Sequence, residues 1–331
     1  MQAVVLNIPG AALTDQRLEP PVAGHGQVLV RIHASGVNPL DTKIAAGKAD
    51  HARAQLPAVL GIDLAGVVDG VGAGVEGYAA GDRVYGMTGG IGGMQGSLAD
   101  YAAVDAQLLA HMPPQMTMRE AAALPLIFIT AWEGLVDRAR VGPGKTVLVH
   151  GGAGGVGHMA VQLAAALGAT VHATGSAGQR EIIEGMGAIF IDHRATSVEE
   201  YVRRHTDGEG FDIVYDTVGG ATLDASFQAA RRYHGHVVSC LGWGTHALAP
   251  LSFRAATYSG VFTLLPLLSG KGRAHHGEIM KEASALAAAG KLKVRLDPAL
   301  YTLDAASVAA AHAALTDGTA RGKVVVRVAM E

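Results

Sequence analysis

Cysteine is almost missing from this chain. The single thiol, Cys240, among 331 residues excludes a disulfide framework and any cysteine-cluster metal site, and it fits a reducing cytosol. A charge imbalance is missing too: the formal net charge is −3 and Lys and Arg are scattered, so nucleic acid and anionic membranes are not expected partners. No apolar run reaches the ~18 residues of a membrane helix, and no amphipathic basic helix or anchor is evident. The opening MQAVVLNIPG lacks the basic segment and apolar core of a signal peptide. The expected location is therefore cytoplasmic. There is no fixed-period repeat, and no low-complexity tract beyond alanine-rich helices.

Glycine is abundant, with 45 residues, mostly clustered at turns between apolar runs. The stretch from Lys145 to Ser176 organises the rest. Thr146-Val147-Leu148-Val149 reads as a strand buried on both faces. Gly152-Ala153-Gly154-Gly155-Val156-Gly157 satisfies G-x-G-x-x-G, a helix-forming run follows to Leu167, and Thr170–Thr174 supplies a second strand. In such a β-α-β unit one glycine makes the tight turn. Another lets backbone N–H groups approach a diphosphate, and a third lets the helix pack against the strand. The diphosphate sits where unpaired donors and the positive dipole end face it. No acidic residue stands where one would hold a ribose 2′-hydroxyl. Ser176, Gln179 and Arg180 are there instead, and a hydroxyl and a guanidinium suit a 2′-phosphate, favouring NADPH over NADH.

At 33.9 kDa two domains are the default. Residues 1 to about 120 are β-rich, with short strand-like runs at 3–6, 28–34, 65–68 and 82–85 that suggest a partly open barrel. Thr117 and Glu120 form a capping box for a helix, and a second helix is expected over 130–140. Beyond the glycine turn, strands at 188–192, 211–216, 236–241 and 260–264 alternate with helices, the pattern of a doubly wound parallel sheet. The tail predicts a helix from about 277 to 289, a strand at 294–296, a helix at 305–315 and a strand at 323–328. It is too short for its own core and is expected to return to the barrel.

These motifs resemble the medium-chain dehydrogenase/reductase superfamily in its zinc-independent quinone oxidoreductase, zeta-crystallin-like branch. The resemblance spans the chain and is carried by Ser35-Gly36-Val37-Asn38-Pro39-Leu40-Asp41, Leu60–Val68, Gly81-Asp82-Arg83-Val84, Thr130-Ala131-Trp132, Ala153–Gly157 and Gly322-Lys323-Val324-Val325. It implies an α/β protein: a GroES-like partly open barrel, residues 1–122 with 266–331, and a Rossmann domain, 123–265, of strand order 3-2-1-4-5-6, with a cleft between them. In zinc-dependent relatives the metal ligands fall, by motif, at Asn38, Ile62 and near Leu126. None of these completes a soft N/S zinc site, no histidine pair offers a convincing partner, and no zinc is expected.

Without that Lewis acid, the implied chemistry is hydride transfer from a nicotinamide to an acceptor that is already electrophilic, a quinone or conjugated enone. Asn38 is the first candidate to donate to the oxygen gaining charge, or it is a turn residue before Pro39. Asp41 and Asp63 tune protons, or cap a helix and anchor a loop. Lys43 replaces a tyrosine of some relatives and either stabilises an oxyanion or is a solvated lysine, so solvent is the default proton source. The cofactor candidates are Thr130, Gly152, Gly154, Gly155, Val156, Gly157, Ser176, Arg180, Leu241, Trp243, Phe262 and Lys323. Trp243 lines the ring pocket or packs at a domain interface. Phe262 offers its backbone to the nicotinamide or is core. Tyr85, Met87 and the glycines at 89–94 form an apolar substrate wall or a flexible loop.

Two rivals remain. One is an enal, enone or enoyl-thioester reductase on the same scaffold; the other is a non-catalytic NADPH-binding redox sensor, which would bind cofactor without acceptor-dependent oxidation. The exposed sixth strand of such a sheet can pair with its copy across a two-fold axis, so a homodimer is expected. Light scattering checks this: a mass near twice 33.9 kDa is predicted, and the monomer mass overturns it.

Overall fold

The computed structural model describes residues 1–330. The chain divides into two compact units, Met1–Leu126 with Leu264–Glu331, and Ile127–Thr263.

In the second unit six parallel strands lie in the order Ile189–Asp192, Thr170–Gly175, Thr146–His150, Ile213–Asp216, His236–Ser239 and Thr257–Gly260. This is the 3-2-1-4-5-6 order of a doubly wound Rossmann sheet. Leu148, Val214 and Val237 from its central strands and Phe211, Leu223 and Phe227 build one buried layer. The sixth strand is displaced from the expected 260–264. The paired residues are Thr257–Gly260, a half-exposed edge, while Val261 and Leu264 are buried after the chain has left the sheet. An edge strand needs little apolar content, so the apolar run marked the wrong residues.

The helix expected over 130–140 begins earlier, at Pro125, and its α-helical part ends at Trp132. Proline suits the first turn of a helix, where its missing N–H is not needed. Glu133–Arg138 then forms a π-helical turn, in which Ala139 N–H donates to Gly134 O at 3.0 Å. A Cβ on Gly134 would stand 2.7 Å from the Tyr215 ring, so the widened turn and the glycine together make room for that ring.

In the first unit Gln27–Gly36 is the central strand of a seven-stranded sheet. It pairs antiparallel with Asp63–Val71, Tyr101–Asp105 and the C-terminal Val325–Arg327. Register breaks at Leu29/Val30 and Ile32/Ala34 bend it, as bulges do, around Val28, Val30, Ile32, Leu64, Val68 and Val84. The tail therefore returns to the N-terminal sheet. Residues 294–296 supply only one bridge, Leu296 to Lys323, and not a strand. The long C-terminal helix is Arg273–Ala288, starting earlier than expected because Gly272 at φ +84° turns the chain and Arg273 is held by Asp105 and the carbonyl of Leu267. The capping box at Thr117 and Glu120 is present.

Gly36 ends the central strand where Met118–Ala123 crosses it. A Cβ there would lie 2.1 Å from the Ala122 carbonyl oxygen, a clash with backbone that no rotamer relieves. Gly36→Ala is predicted to destabilise the protein by about 2–3 kcal/mol, read as a lower urea midpoint at unchanged m-value.

Candidate active site and nucleotide cradle

The first unit encloses a polar cluster made of four side chains from distant parts of the chain. Asn38 has extended backbone (φ −127°, ψ 157°) and is the N-cap of Pro39–Ala45; its backbone N–H donates to Asp41 Oδ2 at 2.8 Å. The register of the sheet places Asp63 opposite Gly36, two residues before Asn38. The Asn38 amide then donates to Asp63 Oδ2 at 2.9 Å, while Leu126 N–H donates to Asp63 Oδ1 at 3.0 Å. Val37 N–H donates to Val324 O, which brings Lys323 alongside. Its ammonium donates to Asn38 Oδ1 at 2.5 Å and to Val37 O at 3.2 Å. Asn38 and Asp63 are 0% exposed, Asp41 2% and Lys323 6%.

Burial dominates the electrostatics. It raises Asp41 to about 6, against N–H donors and Lys323, and Asp63 to about 7, against Lys323 and the Asn38 amide. The Lys323 ammonium is lowered by the same burial and supported by the two carboxylates. One cation faces two carboxylates, so the cluster takes up a proton as the pH falls through about 7 to 6. The geometry changes the reading of Asn38. Its carbonyl and one N–H are committed within the cluster and it is fully buried, so it holds the 37–41 turn in place. Lys323, named with the cofactor candidates, sits beside Asn38 in this unit.

Zinc does not fit here. Ile62 is hydrocarbon and fully buried, the Leu126 N–H is taken by Asp63, and the Asn38 oxygen already accepts from an ammonium. A dication beside that ammonium would be repelled, and the donors lack the imidazole and thiolate character zinc selects. Among the described residues no group of three or more His, Cys, Asp or Glu is placed to hold a metal ion.

The second unit carries the glycine turn. The strand Thr146–His150 ends at Gly151, whose φ is +71°, so the tight turn is made one residue before the fingerprint. The fingerprint glycines serve close approach instead. A Cβ on Gly152 would lie 2.6 Å from Ala173 Cβ, and one on Gly157 would lie 2.0 Å from the Gly151 carbonyl oxygen. Gly154 caps the 12-residue helix Gly155–Ala166, and Gly154 and Gly155 are exposed. The start of the helix, with its unpaired N–H groups and positive dipole end, is thus open at Gly154 and Gly155, and a dinucleotide diphosphate fits there.

At the end of Thr170–Gly175, Ser176 N–H donates to Gln179 Oε1. Arg180 pairs with Glu184 at 3.0 Å and lies 4.4 Å over the Phe190 ring. Two further basic residues, which motif spacing did not single out, come from the neighbouring strand. Gly175 pairs with Asp192, and His193 Nδ1 donates to Gly175 O at 2.8 Å. Exposed His193 therefore lies beside Ser176, and the chain turns away at exposed Arg194. The signal that could have found His193 was the expected strand 188–192, whose next residue continues the parallel pair beside Ser176.

Other candidates are scattered in role. Thr130 is buried, 3.2 Å from the Thr263 hydroxyl, and its carbonyl accepts from Tyr215 Oη at 2.6 Å. Half-buried Leu241 donates its N–H to Ser239. Trp243 and Phe262 are 56% and 37% exposed, so Phe262 is not core. Lys43 is exposed. Tyr85 and Met87 are fully buried, with Tyr85 bonded to Ser284 and the Met280 carbonyl, so they belong to the core and not to a substrate wall. Gly93 and Met94 do line a cavity of about 210 Å³ with Gln55 and Gln95.

Residues 24–114 match the family model described as Alcohol dehydrogenase GroES-like domain, and residues 186–326 that described as Zinc-binding dehydrogenase. The chain is 37% identical over 308 residues to 2-methylene-furan-3-one reductase of Solanum lycopersicum, covering 91% of this chain and 71% of that protein. It is 41% identical over 204 residues to the phthioceranic/hydroxyphthioceranic acid synthase of Mycobacterium tuberculosis, 61% of this chain but only 9% of that protein. Among solved structures, an alcohol dehydrogenase superfamily protein from Novosphingobium aromaticivorans is 53% identical with a TM-score of 0.96, covering 99% of this chain and 100% of that one. A Pseudomonas syringae quinone oxidoreductase is 28% identical with a TM-score of 0.84, covering 98% and 99%.

The cluster makes a pH prediction. Asp41 and Asp63 hold protons more tightly folded than unfolded, so between about pH 4 and 7 the native state binds more protons and stability falls as the pH rises. Asp63→Asn removes one such group. Its stability is predicted to fall less than the wild type's between pH 5 and 7, by up to about 1.4 kcal/mol per pH unit, in urea titrations. Lys323→Met, which leaves two carboxylates buried without their cation, is predicted to cost about 3–5 kcal/mol.

Proposed function

The chain belongs to the medium-chain dehydrogenase/reductase superfamily, and from that membership we propose an NADPH-dependent, metal-free reductase of quinones and similar conjugated carbonyls. The observation that carries the reading is the Lys323 ammonium on Asn38. It occupies the coordinating oxygen at a position where zinc-dependent relatives carry a ligand, and alcohol oxidation at neutral pH relies on such a Lewis acid. A bound reduced nicotinamide supplies a hydride, and an acceptor conjugated to its own carbonyl needs no metal to receive it.

The chain's residues then bind, orient and shield. The first turn of Gly155–Ala166 holds the diphosphate. Ser176, Arg180 and His193 offer a hydroxyl and cationic groups to the 2′-phosphate, provided Arg180 exchanges Glu184 for it. Thr130, fixed through its carbonyl by Tyr215, presents a hydroxyl on the nicotinamide side. The Asn38 cluster keeps the 37–41 turn rigid, and protons come from solvent, with exposed Lys43 as an ionisable side chain on the helix that follows. The same reading carries a cytoplasmic homodimer paired along the Thr257–Gly260 edge.

A second reading is reduction of an isolated enone or enal, or of an enoyl thioester. The 37% identical reductase, named for a methylene ketone, favours the enone form. Anaerobic NADPH oxidation by chelator-treated protein with o- and p-quinones and simple enones in parallel separates them. Turnover that survives chelation is predicted for quinones, with enones slower; enones alone would select the second reading, and cofactor binding without any turnover would select a redox sensor. Arg180→Glu is predicted to raise KM for NADPH about tenfold to hundredfold, the worth of one charge-assisted contact, with NADH use unchanged.

A further inference from the structure

The loop after His236–Ser239 lies close to the edge strand at a glycine. A Cβ on Gly242 would lie 2.2 Å from Tyr258 Oη, and one on Gly244 would lie 3.1 Å from His246 Nε2. Gly242 therefore rests on a tyrosine of the edge strand, while Gly244 packs closely on an imidazole of its own loop. His246 Nδ1 is 2.9 Å from Asp224 Oδ1, on the helix Ala221–Ala229. Its ring stands edge-on to Phe227, at 6.4 Å and 88°, and Phe227 is edge-on to Tyr258, at 5.9 Å and 88°. Between the two pinned glycines, Trp243 is 56% exposed.

This arrangement is costly for a loop that merely connects two elements. His246 Nε2 is buried without a hydrogen-bond partner, and an orphaned buried acceptor is unfavourable. An apolar ring would fill the space under Gly244 without that cost. What an apolar ring lacks is the directional bond to Asp224, which joins the loop to the helix. The carboxyl edge of an open parallel sheet is also where nucleotides lie, and a flat, exposed indole is suited to stack on a planar ring.

We propose that Asp224 and His246 are positioning residues that hold Trp243 as one face of the acceptor's ring site. This rests on the reductase reading above. His246 fixes the height and direction of the loop, Asp224 fixes His246, and Trp243 meets the planar acceptor. Neither Asp224 nor His246 touches the reacting atoms, so their loss should appear in acceptor KM and not in kcat.

The test uses a Trp132→Phe background, which leaves Trp243 as the only tryptophan. Asp224→Ala and His246→Ala are predicted to lower the steady-state fluorescence anisotropy of Trp243 without any ligand present. They should also raise KM for a p-benzoquinone acceptor about tenfold, as expected for loss of a bond to a charged group, with kcat and NADPH affinity within about twofold. His246→Gln keeps an N–H for Asp224 and should restore both readouts. Unchanged anisotropy and KM in the two alanine variants overturn the proposal, as does lost turnover with unchanged anisotropy. A wild type that binds NADPH but reduces no acceptor overturns the reductase reading instead, and the anisotropy arm still decides whether Asp224 and His246 hold Trp243. Should His246→Ala fail to fold, Asp224→Ala at a half-exposed carboxylate carries the decision.

Discussion

A single buried ammonium holds the first unit's polar interior together. Lys323 lies 285 residues from Asn38 in sequence and stands close to Asp41 and Asp63, each of which would be costly to bury alone. With the lysine in place, Asn38 can bridge a cation and a carboxylate through its two ends, and the 37–41 turn has one conformation. The return of the C-terminal tail to the N-terminal sheet is thus an electrostatic requirement as well as a matter of strand pairing. Such a cluster need not stabilise more than a hydrophobic one of the same volume; its contribution is to specify which strand ends meet.

The second unit solves a different problem, packing a helix and a turn close against a strand. Here glycine acts by what it leaves out. Gly157 allows the helix to sit against the Gly151 carbonyl, Gly152 allows the turn to sit on Ala173, and Gly151 takes the left-handed conformation that reverses the chain. The same device recurs in the loop at Gly242 and Gly244, where absent side chains let the backbone lie on Tyr258 and His246. One unit therefore builds its site by pairing charge, the other by removing volume.

The misplacements share a cause. The sixth strand is a polar edge and the apolar run lies beyond it. The helix expected over 130–140 begins at Pro125, whose missing N–H the first turn does not need. Tyr85 and Met87, expected on a substrate wall or a flexible loop, are fully buried. In each case a local property was read correctly, while its meaning depended on what packed against it: a free edge, an unneeded N–H, a helix over a tyrosine.

The sequence alone determined the alternation of strands and helices, the glycine turn, the missing acid beside Ser176 and the absence of zinc-ligating side chains at Asn38 and Ile62. These follow from periodicity, from the conformational freedom of glycine and from residue chemistry, all local properties. Only the tertiary structure decided that Asn38 is locked inside a cluster, that Lys323 is its partner and that His246 is held by Asp224. Each is a contact between residues distant in the chain, set by sheet register and by the need of buried charges for partners. Neither condition leaves a trace in the spacing of residues along the sequence.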